Sequence, residues 1–164
     1  MKPALFILLL ALFLAGLAIA EELKPSEGFE LARWGASVQE VLEVFPKAKA
    51  KPVEVGSPRE KAYFVESKVG TAPVELSLVF LDDKFGQALL HFDRKDADQV
   101  VDVFKERYGK PAGETQKTLR WNVSGTSIMV SRAGVATVSS PEFSEYAEKY
   151  RKQSREAAGQ VGRD

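Results

Sequence analysis

The feature that most constrains this chain is an alternation of apolar side chains in two neighbouring runs, residues 74–81 and 85–93. In an extended strand successive side chains point to opposite faces, so Val74, Leu76, Leu78 and Phe80 share one face of the first run. Gly86, Ala88, Leu90 and Phe92 share one face of the second. Both sets lie on one side of a sheet only if paired residue numbers sum to an even value. Leu81 opposite Phe85 satisfies this and leaves Asp82-Asp83-Lys84 as a three-residue hairpin loop. A two-residue loop would turn one set outward. The pattern returns later, where Leu119, Trp121 and Val123 alternate before Ser124-Gly125, a two-residue turn that places Val123 opposite Thr126. Ile128 and Val130 follow, and Arg132-Ala133-Gly134 then sets Ser131 opposite Val135, with glycine where a left-handed residue is wanted. With a further strand-like run at 62–69, these registers describe antiparallel meanders.

Helical periodicity separates the strands. Ser37-Val38-Gln39-Glu40 is a capping box, followed by Val38, Val41, Leu42 and Phe45 at helical spacing, and Pro46 closes the segment. A second helix is expected from Asp96 to Tyr108, with Ala97, Val100, Val101, Phe104 and Tyr108 as its apolar stripe and Gly109 and Pro111 as its stop. A third begins at Ser140-Pro141-Glu142 and carries Phe143, Tyr146, Ala147 and Tyr150. The chain therefore reads as an α+β fold of two αβββ units with antiparallel meander sheets, helices packed on one side and a C-terminal helix. The units span 34–93 and 94–140 of one domain, 34–153, whose last helix is 141–153. Residues 21–33 read as a leader, 47–61 as a connection, and 154–164 as a tail that frays once the periodicity is lost.

The first twenty residues read as a secretory signal. Met1-Lys2-Pro3 precedes an apolar run ending in Ala18-Ile19-Ala20, and Glu21-Glu22 follows. Cleavage near Ala20 would leave a periplasmic or secreted protein. The alternative, a retained anchor, has an apolar run slightly short of the roughly 20 residues that span a bilayer. The chain has no cysteine, which excludes disulfides, thiolate metal sites and a cysteine-linked lipid. A secreted domain of this kind must be held by its core. With 23 basic and 23 acidic residues in the 164-residue chain, no electrostatic footprint for nucleic acid or anionic lipid is present. Protein is the expected partner, and membrane contact is expected only through an uncleaved signal.

The helix start Trp34-Gly35-Ala36-Ser37-x-x-Glu40-Val41 and the helix end Phe104-x-x-x-Tyr108-Gly109-Lys110-Pro111 resemble pieces of one fold group. This is the β-lactamase-inhibitor-protein-like fold, shared with the small outer-membrane assembly lipoproteins of the BamE/SmpA type. The resemblance covers most of 34–140 and departs at the missing lipid-bearing cysteine. It implies a non-catalytic protein that binds other proteins or the envelope, and it transfers no functional residue.

Chemistry-bearing residues are few. His91 is the single histidine, with Glu75 expected across the strand on the same face, an arrangement that a general base could use and that surface cross-strand pairs show far more often. Asp93, Asp96 and Asp98 offer hard oxygens, but acidic residues belong at a helix start for electrostatic reasons and the spacing matches no calcium loop. No nucleophile elbow or phosphate loop is found. No catalytic, cofactor or metal residue is assigned, and a non-enzyme is expected. Val79, Leu81 and Leu89 stand apart, because they lie on the face opposite the core set. Either the third helix covers them or they form a partner surface. The expected function is an exported protein-binding or cell-envelope assembly module. The alternatives are a small-molecule or lipid carrier, with aromatics such as Trp34, Phe64 and Phe92 lining its groove, and a hydrolase using His91.

Overall fold

A computed structural model describes residues 23–51 and 59–161; the signal expected at 1–20 lies outside them. The elements are β1 (Gly28–Phe29), β2 (Ala32–Arg33), α1 (Val38–Val44), β3 (Lys49–Lys51), β4 (Glu60–Val69), β5 (Ala72–Leu81) and β6 (Lys84–Phe92). A 3-10 turn (Arg94–Asp96) leads into α2 (Ala97–Tyr108), then β7 (Gly113–Glu114), β8 (Thr118–Val123), β9 (Thr126–Ser131), β10 (Val135–Ser139) and α3 (Pro141–Val161). The fold is α+β. The two meanders are fused into one antiparallel eight-stranded sheet in the order β3-β4-β5-β6-β10-β9-β8-β7. The join is between the third strands of the two units, β6 and β10, through pairs such as Leu90 with Ala136. The strand order is thus a palindrome: a helix, a short edge strand and a three-strand meander, twice over.

Three hairpins test the parity reasoning. Val123 pairs with Thr126 across Ser124-Gly125, and Ser131 pairs with Val135 across a loop whose Gly134 has a φ of 104°. Both match expectation. Along β5 and β6, Leu76 faces Leu90 and Leu78 faces Ala88, as the alternation requires. At the tip, however, Leu81 pairs with Lys84 and Phe80 with Phe85, so the expected Leu81–Phe85 pair does not form. Asp82 and Asp83 both adopt positive φ, 50° and 61°, the geometry of a two-residue turn. Arg59, just before β4, and Lys61 on β4 hold their carboxylates. The surplus residue is absorbed at Gly86, where the register shifts between Val79 and Phe80. This bulge reverses the parity, so Phe85 enters the core together with Ala88 and Leu90.

The inner face of the sheet carries the main core. Leu76, Leu78, Phe80, Phe85, Leu90, Leu119, Ile128 and Val138 are buried there against Val41 of α1 and Val100, Val101 and Phe104 of α2. The α1 capping box is present, with the Ser37 hydroxyl accepting from the Glu40 N–H and the Glu40 carboxylate accepting from the Ser37 N–H at 2.8 Å. The start of α2 is capped one turn before the helix proper. Asp96 makes no side-chain cap; instead Asp93 accepts from the Lys95 N–H at 3.0 Å and starts the 3-10 turn. Gly109 ends α2 at φ 75°, ψ −155°, a region suited to glycine, and its carbonyl accepts the Trp121 indole N–H at 2.8 Å.

The polar segment before Trp34 is part of the domain. Phe29 and Ala32, in the small β1–β2 hairpin, are buried in the core. The Trp34 indole N–H and the Thr126 hydroxyl both donate to the Pro25 carbonyl, at 2.9 and 2.8 Å. Two buried side chains and these hydrogen bonds hold the segment to the domain. At the other end, α3 runs to Val161, beyond the expected limit at 153. Arg155-Glu156-Ala157-Ala158 are strong helix formers, and propensity extends the helix where amphipathic periodicity has ended.

Candidate binding surface

The reverse face of the sheet is built from residues out of phase with the core. Reading across β5, β6 and β10, its rows are Glu75–His91–Val135, Ser77–Leu89–Thr137 and Val79–Gln87–Ser139. The helices α1 and α2 lie on the inner side; α3 leaves β10 through Ser140 and packs on this outer side. Its start is set by the Ser140 hydroxyl, which accepts from the Phe143 N–H at 3.1 Å. Phe143 then forms a second, smaller apolar cluster with Ala62 and Val79, flanked by Phe64, Leu81 and Ala147. Gly86 makes the approach possible: a Cβ there would stand 2.8 Å from the Phe143 ring and 3.0 Å from its Cβ. The bulge glycine therefore serves both faces.

Arg59 ties α3 to the β5–β6 tip. Its guanidinium bonds the Asp82 carboxylate and lies 5.4 Å from the centroid of the Tyr146 ring. The Arg59 hydrogen bond holds the Asp82 carboxyl below its ordinary pKa, and Asp82 raises that of Arg59 in return.

These positions sort the expected partner surface. Val79 is only 7 % exposed beneath Phe143, so it contributes packing and little accessible surface. Coverage by the terminal helix, the other expectation for this face, holds for this residue. Leu81 and Leu89 remain half-buried. Leu81 also lines a recess of about 430 Å³ at the β5–β6 tip, where Trp34 and Phe85 from the inner side meet Gly86 and Phe143 from the outer, with Lys84 and Glu142 at its edge. Trp34 stacks on Phe85 at 5.0 Å between ring centroids. The volume falls in the range of small-molecule sites. Of its aromatics the sequence pointed to Trp34 as a groove residue and missed Phe85 and Phe143; the signal for these was Gly86, a glycine inside a strand pattern, which marks close approach of another group.

His91 is exposed and does pair across the strand with Glu75, beside an open depression shared with Lys68, Asp93 and Lys95. The two are cross-strand neighbours on a solvated surface. Asp93, Asp96 and Asp98 do not converge. Asp93 caps the turn, Asp98 bonds Arg132, and among the described residues no cluster of three or more histidine or acidic side chains is placed to hold a metal ion. Comparison with family models, curated proteins and solved structures finds no match to this chain.

Proposed function

We propose that the protein is an exported, non-catalytic protein-binding or cell-envelope assembly module that meets its partner on the outer face of the sheet. The observation that carries the reading is the half-exposure of Leu81 and Leu89 on a face whose remaining cover is one helix. Antiparallel sheets normally present polar side chains to water on a solvated face, and leucine in two of its strands suits a dry contact. The sequence of the first twenty residues favours export, and the resemblance of the helix start and stop to those of small outer-membrane assembly proteins favours the envelope.

The test is partner capture from a native envelope extract by the wild-type protein and by Leu81→Asp and Leu89→Lys. Both variants are expected to stay folded and lose the captured species; undiminished capture by both would move the site elsewhere. The recess beside Trp34, Phe85 and Phe143 supports a second reading, a carrier of a small apolar molecule. Organic extraction of natively purified protein, followed by mass spectrometry, discriminates: a stoichiometric apolar ligand favours the carrier. His91→Ala is expected to change neither result.

A further inference from the structure

We infer that α3 is a displaceable cover, and that its seat on the outer face is a docking slot for an amphipathic helix bearing one aromatic ring. The inference rests on the proposed binding role of that face and names the kind of partner it takes. Three observations carry it. First, the seat has the shape of its present occupant: Gly86 opens room for a ring, and Ala62, Val79 and Leu81 surround Phe143, with Ala147 one turn further on. Second, among the side chains described, α3 is held near its start. Phe143 and Ala147 make the apolar contacts and Tyr146 lies against Arg59, whereas residues 148–153 are exposed, Tyr150 at 43 %. Third, the polar groups are imperfectly matched on this side. Among the described residues four buried side-chain oxygens find no hydrogen-bond partner, and three of them are Ser144 Oγ and Tyr146 OH on α3 and Ser77 Oγ on the outer face. Buried hydroxyls without partners weaken the contact that buries them. A competing helix that offers a ring and a small residue four positions later would reproduce the apolar contacts of Phe143 and Ala147.

Two measurements on the full chain test this. Hydrogen exchange of the wild-type protein should show residues 141–153 exchanging at least about a hundredfold faster than 97–108, because α3 opens without unfolding the sheet. A fluorescent synthetic peptide of residues 140–153 should bind the Phe143→Ala protein at least about tenfold more tightly than wild type, since the intact helix competes for the seat. Gly86→Ala combined with Phe143→Ala should abolish that binding. Equal exchange of the two helices, or a Phe143→Ala protein that ignores the peptide, overturns the inference. Either failure leaves the capture test with Leu81→Asp and Leu89→Lys untouched, so the two readings fall separately.

Discussion

The two faces of the sheet are made from the same strands, yet they are packed to different standards. On the inner face α1 and α2 enclose a continuous core in which Phe104, Tyr108 and Trp121 form an edge-on and tilted ring cluster and the Trp121 N–H has a carbonyl partner. On the outer face α3 buries Ala62 and Val79 under Phe143 and leaves hydroxyls unmatched. Dense packing with satisfied polar groups specifies a fold. A small contact with orphaned hydroxyls specifies much less, and such a contact can be exchanged for another. The comparison assigns stability to the inner face and supports the proposal that the outer face is the one that interacts.

Substitutions can break this assignment, beginning with the inner rings. Phe104→Ala or Trp121→Ala should cost about 3–5 kcal/mol, the usual loss for a large buried aromatic. Urea midpoints unchanged in both variants would show the core misplaced. Phe143→Ala should cost less, below about 2 kcal/mol, because undocking α3 caps the loss while the sheet persists. A midpoint shift equal to that of Phe104→Ala would erase the distinction between faces. Ser37→Ala removes the α1 cap and should cost about 1 kcal/mol, measured the same way.

The smallest effects are electrostatic. Glu40, Asp82 and Asp93 are held below their ordinary pKa, the first by hydrogen bonds from Ser37, the second by Arg59 and the third by the Lys95 N–H. A carboxyl depressed in the folded state stabilises above its unfolded pKa, and this contribution is lost as pH falls through the folded value. The urea midpoint should therefore decline on acidification below the ordinary carboxylate range, and Asp82→Asn should flatten the decline slightly. All three groups are solvent-exposed, so the effect should be modest and reduced by salt.

The alternation of apolar residues makes the facing of Leu76 and Leu90, and both hairpins of the second meander, legible in the sequence. Side-chain parity is a strong constraint wherever one face is buried. It fails at Asp82-Asp83 because Gly86 absorbs one residue without disturbing the rest of the ladder; a glycine inside a strand pattern is the local sign, and it does not distinguish a bulge from a close approach. The edge strands Lys49–Lys51 and Gly113–Glu114 are illegible because two or three residues carry no readable period. Phe29 and Ala32 are hidden in a charged stretch, since the docking of their segment depends on distant partners such as Thr126. Of the candidate surface, Val79, Leu81 and Leu89 do lie opposite the core, but the depth of cover over each depends on where α3 lands. That landing is a tertiary outcome set by Gly86 and Phe143.

Leu89 and Leu90 are neighbours on β6 that face opposite sides, one half-buried on the outer face and one 1 % exposed in the core. Equilibrium urea unfolding of Leu89→Lys and Leu90→Lys therefore tests the two-faced account most directly. Leu90→Lys should lose more than about 4 kcal/mol, because a charge is forced into a dry core. Leu89→Lys should stay within about 1 kcal/mol of wild type, its ammonium reaching solvent across the sheet surface. Equal destabilisation of the two variants, or a larger loss at Leu89, would contradict the account.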